Sequence, residues 1–186
     1  MHKMTFPMAV VAAGLVLAPV LAAQEQEDIK HVVSVTSALS RTAVAPGETF
    51  KLAVVLKVQA GYHINDNAPV DEFMFPTTLA LADTPDFEVV EVYYPAGRPA
   101  RYAYSEVELV VYDGEAVLGV LLKAKEGLAA GSSKLKATLS YQACDNVSCL
   151  PPKELSFEVA VPVSRSGGKD LHPGIFSRIP FMSLRK

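Results

Sequence analysis

The 186-residue chain has no tryptophan and only two cysteines. No indole therefore packs in its core, and two cysteines with four residues between them can form one small disulfide. It also lacks an excess of cationic side chains, with 17 Lys and Arg against 20 Asp and Glu. A mildly acidic chain is a poor partner for nucleic acid. No apolar run beyond residue 23 is long enough to cross a membrane. No window shows a helical period longer than two turns, and no internal repeat is present. There is no Ser-His-Asp arrangement at informative spacing, no glycine-rich phosphate loop and no basic aromatic patch. Metal binding is disfavoured too: zinc sites show tighter Cys-x-x-Cys spacing and further ligands than Cys144, Cys149 and His63 supply. Asp66, Asp71 and Glu72 fall short of a calcium loop and read as a solvated one. No metal or organic cofactor is expected.

What is present begins with an export signal. His2 and Lys3 give a cationic start, Met4 to Ala23 carries no charge, and small residues precede Gln24-Glu25-Gln26. This is the layout of a secretory signal peptide, 1–23. An uncleaved anchor is the other reading, because the stretch is about long enough to span a bilayer; Pro7, Pro19 and the small-residue exit favour cleavage. The mature chain, without Lys3, has 16 basic residues against 20 acidic, a net of −4. Export places the cysteines where a disulfide persists.

The dominant period is two. Phe50, Leu52, Val54, Leu56 and Val58 fall on one face of Thr49 to Gln59, while Lys51, Lys57 and Gln59 share the other with Ala53 and Val55. Lys134 to Tyr141 and Lys153 to Val163 alternate in the same way. Less regular strands are expected at His31–Ala38, Thr77–Ala82, Phe87–Tyr94, Val107–Tyr112 and Ala116–Lys123. Asp113-Gly114 between apolar runs predicts a hairpin. Seven to nine short strands at this spacing predict an all-β sandwich over residues 24–163. Residues 164–186 read as a C-terminal tail with a flexible exit from Ser164. Ile175, Phe176, Ile179, Pro180 and Phe181 within it are apolar enough to dock.

Tyr141 ends one strand and Lys153 starts the next, so Cys144 and Cys149 face each other across a hairpin neck. Pro151 and Pro152 stiffen the outgoing arm. Stapling so small a loop stabilises little, because closure entropy grows with loop length. That favours redox chemistry. The alternative is a non-catalytic exported β-sandwich binding module with a structural disulfide. Asp145 beside the pair is anionic and would raise a neighbouring thiol's pKa. Such thiols are not strongly activated on their own, so exchange would be fast only when a partner supplies the activating group.

Tyr141-Gln142-Ala143-Cys144…Cys149-Leu150-Pro151-Pro152 resembles the active-site segment of the N-terminal periplasmic domain of the thiol:disulfide interchange protein DsbD. Gly61-Tyr62-His63-Ile64-Asn65 is similar to a Gly-aromatic-His-Ile-Asn segment of many relatives, and the resemblance runs from Val33 to Val163. It implies an immunoglobulin-like β-sandwich with the cysteine pair on an edge hairpin. It implies passage of reducing equivalents by thiol–disulfide exchange between periplasmic thioredoxin-like partners, such as disulfide isomerases or cytochrome c maturation factors. Cys149 would form the mixed disulfide and Cys144 resolve it. Tyr62, Tyr141 and Gln142 would line the site. For His63, an ordinary loop or strand-end role stands beside that one. By the same resemblance an aromatic-bearing loop covers the pair. Tyr102 or Tyr104, in Arg98 to Glu106, is then the cap or merely part of a surface loop. The family's domain usually precedes a membrane-spanning domain and a second thioredoxin-like domain. This chain carries neither, so a separately encoded membrane partner, a terminal reductant or a chaperone-like binder is expected.

Overall fold

The computed structural model describes residues 32–184. The expected signal peptide lies outside them. Eleven strands and one short helix are present among the described residues. The longest strands sit where alternation was strongest. In β2 (Thr49–Val58) Phe50, Leu52, Val54, Leu56 and Val58 point into the main core. In β9 (Gly131–Tyr141) Leu135, Ala137, Leu139 and Tyr141 do the same while Lys134 and Lys136 are exposed. β11 (Lys153–Val163) pairs with β9 over its full length.

β1 (Val33–Leu39), β2, β8 (Glu115–Ala124) and β5 (Phe87–Tyr93) form one sheet in the order β1-β2-β8-β5. Across the core lie β11-β9-β4, with β4 at Thr78–Leu81, and a smaller sheet of four short strands. These are β3 (His63–Asn65), β6 (Arg98–Ala100), β7 (Leu109–Tyr112) and β10 (Ala143–Cys144), in the order β10-β3-β7-β6. Leu118, Val120 and Leu122 of β8, Leu135 and Leu139 of β9, and Ile64 and Tyr112 of the small sheet share one apolar cluster. The protein is an all-β, immunoglobulin-like sandwich.

Two expectations change. β7 and β8 flank Asp113-Gly114 but lie in different sheets, so the turn is a corner and not a hairpin. Gly114 takes φ 63°, which Asp-Gly favours, but a bend fixes only chain direction and the apolar faces choose the partners. The exit after Ser164 is also tied down rather than loose. Thr42 N–H donates to Lys169 O at 2.9 Å, Leu171 N–H to Ser40 O at 2.9 Å, and Arg41 pairs with Asp170 at 2.6 Å.

The tail then continues through α1 (Pro173–Phe176) to a 3₁₀ turn at Met182–Leu184. Phe176, Ile179 and Phe181 are buried against Ala53, Val117 and Leu121. This explains why β8 is apolar on both faces: one faces the sandwich core and the other lies under the tail. Among the described residues no helix is long and apolar enough to cross a membrane.

Candidate functional site

β9 and β11 are in register as far as Tyr141 and Lys153. Beyond that pair the chain leaves the β9–β11 ladder. Ala143 and Cys144 form β10 and pair with Ile64 and His63 of β3. The tip closes on itself through hydrogen bonds. Asp145 Oδ1 accepts from Val147 N at 2.7 Å and Ser148 N at 2.8 Å, and Asp145 N donates to Ser148 O at 2.9 Å. Leu150 N donates to Ala143 O at 2.8 Å, and Gln142 Nε2 to Leu150 O at 3.0 Å. Inside this clasp Cys144 and Cys149 form a disulfide. Cys144 is fully buried and Cys149 only half-buried, so the two sulfurs differ in access.

Asp145 is thus a turn former. The amides of Ser148 and Val147 hold its carboxyl below the usual carboxylate range. Gln142 is the clamp of the hairpin. Tyr141 belongs to the main core, where burial raises its hydroxyl's pKa and the hydroxyl has no hydrogen-bond partner among the described residues.

His63 sits opposite Cys144 in the β3–β10 register and is buried. Directly opposite residues of an antiparallel pair project to the same face with Cβ atoms roughly 5 Å apart. The loop after β6 folds back onto this histidine. Tyr102 stacks flat on it, with ring centroids 3.9 Å apart, and Tyr104 Oη lies 2.7 Å from Nε2. Tyr104 in turn stacks on Tyr102 at 5.5 Å. Burial lowers the imidazole's pKa and the Arg98 charge adds to that, whereas Asp113 and Asp145 oppose it. Burial raises the Tyr104 phenol to about 12, so it is neutral at ordinary pH. Tyr62 packs against the main core and lines an open groove with His63, Arg98, Tyr102, Asp113 and Asn146.

The structure therefore brings Cys144, Cys149, His63, Tyr102 and Tyr104 together, with Tyr62 at the rim. Sequence reasoning missed the Arg98–Asp113 ion pair beside the histidine, in which Arg98 Nε donates to Asp113 Oδ2 at 3.0 Å. Its signal was faint, because only the β6–β7 pairing of Arg98 with Val111 brings the two close. The acidic loop residues Asp66 and Asp71 each accept a backbone amide two residues on, as turn formers do. Among the described residues no three His, Cys, Asp or Glu side chains converge as a metal site requires.

The sequence matches, over residues 30–161, the family described as thiol:disulfide interchange protein DsbD, N-terminal. Among solved structures it is similar to the Neisseria meningitidis DsbD N-terminal domain in the reduced form. That likeness has 17% identity and a TM-score of 0.42, and it covers 69% of this chain and 85% of that one. It is similar also to the N-terminal periplasmic domain of ScsB from Proteus mirabilis. There the identity is 14% and the TM-score 0.49, with 80% of this chain and 51% of that chain covered. A structure of the complex between the DsbD and PilB N-terminal domains of Neisseria meningitidis gives 17% identity and a TM-score of 0.40. It covers 74% of this chain and 88% of that one. The search of curated proteins returned no match.

Proposed function

The chain belongs to the family of N-terminal domains of the thiol:disulfide interchange protein DsbD, and on that premise we propose that its Cys144–Cys149 pair relays reducing equivalents between thioredoxin-like partners in the periplasm. The observation that carries this reading is the disulfide itself. It closes a turn that strand pairing and the Asp145 amide bonds already hold, and one of its two cysteines, Cys149, is only half-buried. A bridge so placed adds little to the fold and is free to open.

The step is exchange. The Cys149 thiolate attacks a sulfur of the partner's disulfide, and the partner's other sulfur leaves as a thiolate. Cys144 then attacks Cys149 Sγ. The Cys144–Cys149 bond forms, the mixed disulfide breaks, and the partner departs as a dithiol. The full burial of Cys144 and the lesser burial of Cys149 support that order. Tyr102 or Tyr104 acts as a cap over the pair. The contact of both rings with the histidine opposite Cys144 supports this. Residues 1–23 direct export and are removed, and a membrane electron-transfer protein supplies the electrons.

Thiol trapping of the mature protein across a glutathione series tests the reading. A midpoint of roughly −270 to −180 mV is expected for a relay. A midpoint below about −300 mV marks a structural bridge and sinks the proposal.

A further inference from the structure

A resolving cysteine must lose its proton before it attacks, and Cys144 is fully buried, away from water that would take that proton. At pH 7 a free thiol of pKa about 8.5 is only a few per cent ionised. The group best placed to accept the proton is on the neighbouring strand. His63 is the register partner of Cys144 and projects to the same face of the small sheet. We propose that His63 is the base that takes the Cys144 thiol proton in the resolving step, held in the required tautomer by Tyr104. This rests on the relay reading above and deepens it.

The surroundings fit that task. Tyr104 Oη lies 2.7 Å from Nε2, and its raised pKa keeps it a neutral hydroxyl able to accept as well as donate. When Nε2–H donates to Tyr104, the lone pair is left on Nδ1. Tyr102, stacked at 3.9 Å, fixes the ring plane. The charged groups around the imidazole act in both directions. Asp113 of the β7–β8 corner and Asp145 of the cysteine turn favour its protonated form, and Arg98 of β6 disfavours it. With burial added the ring is neutral at rest, as a base must be, and the two carboxylates stabilise the imidazolium that forms.

In the step the proton passes from Cys144 Sγ to the imidazole and the Cys144 thiolate attacks Cys149 Sγ. The bond between Cys149 and the partner then breaks with its electron pair going to the partner's sulfur, and the imidazolium's proton neutralises the thiolate released. Tyr104 is a positioning residue, because it acts through His63.

The test uses the reduced full chain and one equivalent of 5,5′-dithiobis(2-nitrobenzoate), followed in stopped flow. The first thionitrobenzoate is released as Cys149 forms the mixed disulfide, and the second as Cys144 resolves it. In the unsubstituted protein the second rate should be nearly flat between about pH 6.5 and 8. In His63→Gln it should be about tenfold slower at pH 7 and rise about tenfold per pH unit, following thiol ionisation. The first rate should change less than about twofold. Tyr104→Phe, which keeps the ring stack, should slow the second rate in the same direction but less. A second rate in the unsubstituted protein that itself climbs tenfold per unit overturns the proposal, whether or not His63→Gln folds. So does a His63→Gln profile that coincides with it. This reagent exchanges irrespective of the Cys144–Cys149 midpoint. A structural-range midpoint with a flat profile therefore sinks the relay alone, and a relay midpoint with a thiol-limited profile sinks the base alone.

Discussion

At the scale of single residues, the two cysteines are not equivalent, and substituting each alone should give different products. Cys144→Ala leaves the half-buried Cys149 and should accumulate a stable mixed disulfide with an oxidised thioredoxin-like protein, seen as a mass adduct. Cys149→Ala leaves a fully buried thiol and should react at least about tenfold more slowly. His63 carries a pH signature in stability as well. Its folded pKa is depressed chiefly by burial, so the contribution is fully present above the unfolded value of about 6.5. It is lost as pH falls through the lower folded value. Thermal midpoints of the unsubstituted protein should therefore drop on acidification below about pH 6.5, and His63→Gln should flatten that part of the curve. The cysteines and the Tyr62-His63 segment were legible in the sequence because their residue types stand out in a short motif. Arg98 and Asp113 were not, because their meeting depends on a strand register that no local pattern announces.

At the scale of elements, alternation found the long strands and overlooked β3, β6 and β10, which are two to three residues long and show no period. Those are three of the four strands of the small sheet that carries Cys144 and His63. The docked tail was half-legible. Its apolar residues were visible, but the face receiving them joins Ala53 of one strand to Val117 and Leu121 of another, and that pairing is announced by no local pattern. Gly119 makes the seat possible: a Cβ there would stand 2.4 Å from Ile179 Cγ2 and 2.8 Å from Phe181 Cζ. Gly119→Val should dislodge the tail and expose the apolar face beneath, read as increased binding of a hydrophobic dye and a lower thermal midpoint. Phe181→Ala, which leaves a void under the tail, should cost about 3 kcal/mol in urea unfolding. These residues lie beyond the span that matches the family, 30–161. Deleting residues 170–186 should therefore destabilise the sandwich without altering the sequence of the cysteine hairpin.

At the scale of the whole molecule, the fold is carried by the large sheet and the β9–β11 pair, and the disulfide contributes little. A closed loop of this size is worth about 2 kcal/mol in the chain-entropy description, and the hydrogen bonds of the turn remain after reduction. The reduced protein and the Cys144→Ala/Cys149→Ala double variant should both unfold cooperatively in urea, within about 2 kcal/mol of the oxidised protein. A larger loss would favour a structural bridge. The corner at Asp113-Gly114 has one more consequence. The short strands around the cysteines meet the large sheet through short connections, this two-residue bend among them, and shared apolar side chains, with no strand pairing between the two sheets among the described residues. Their amide protons should therefore trade with deuterium from solvent well before those of β2, β8 and β9. The part in which the proposed exchange takes place would then loosen as a unit of its own while the body beneath it stays shut.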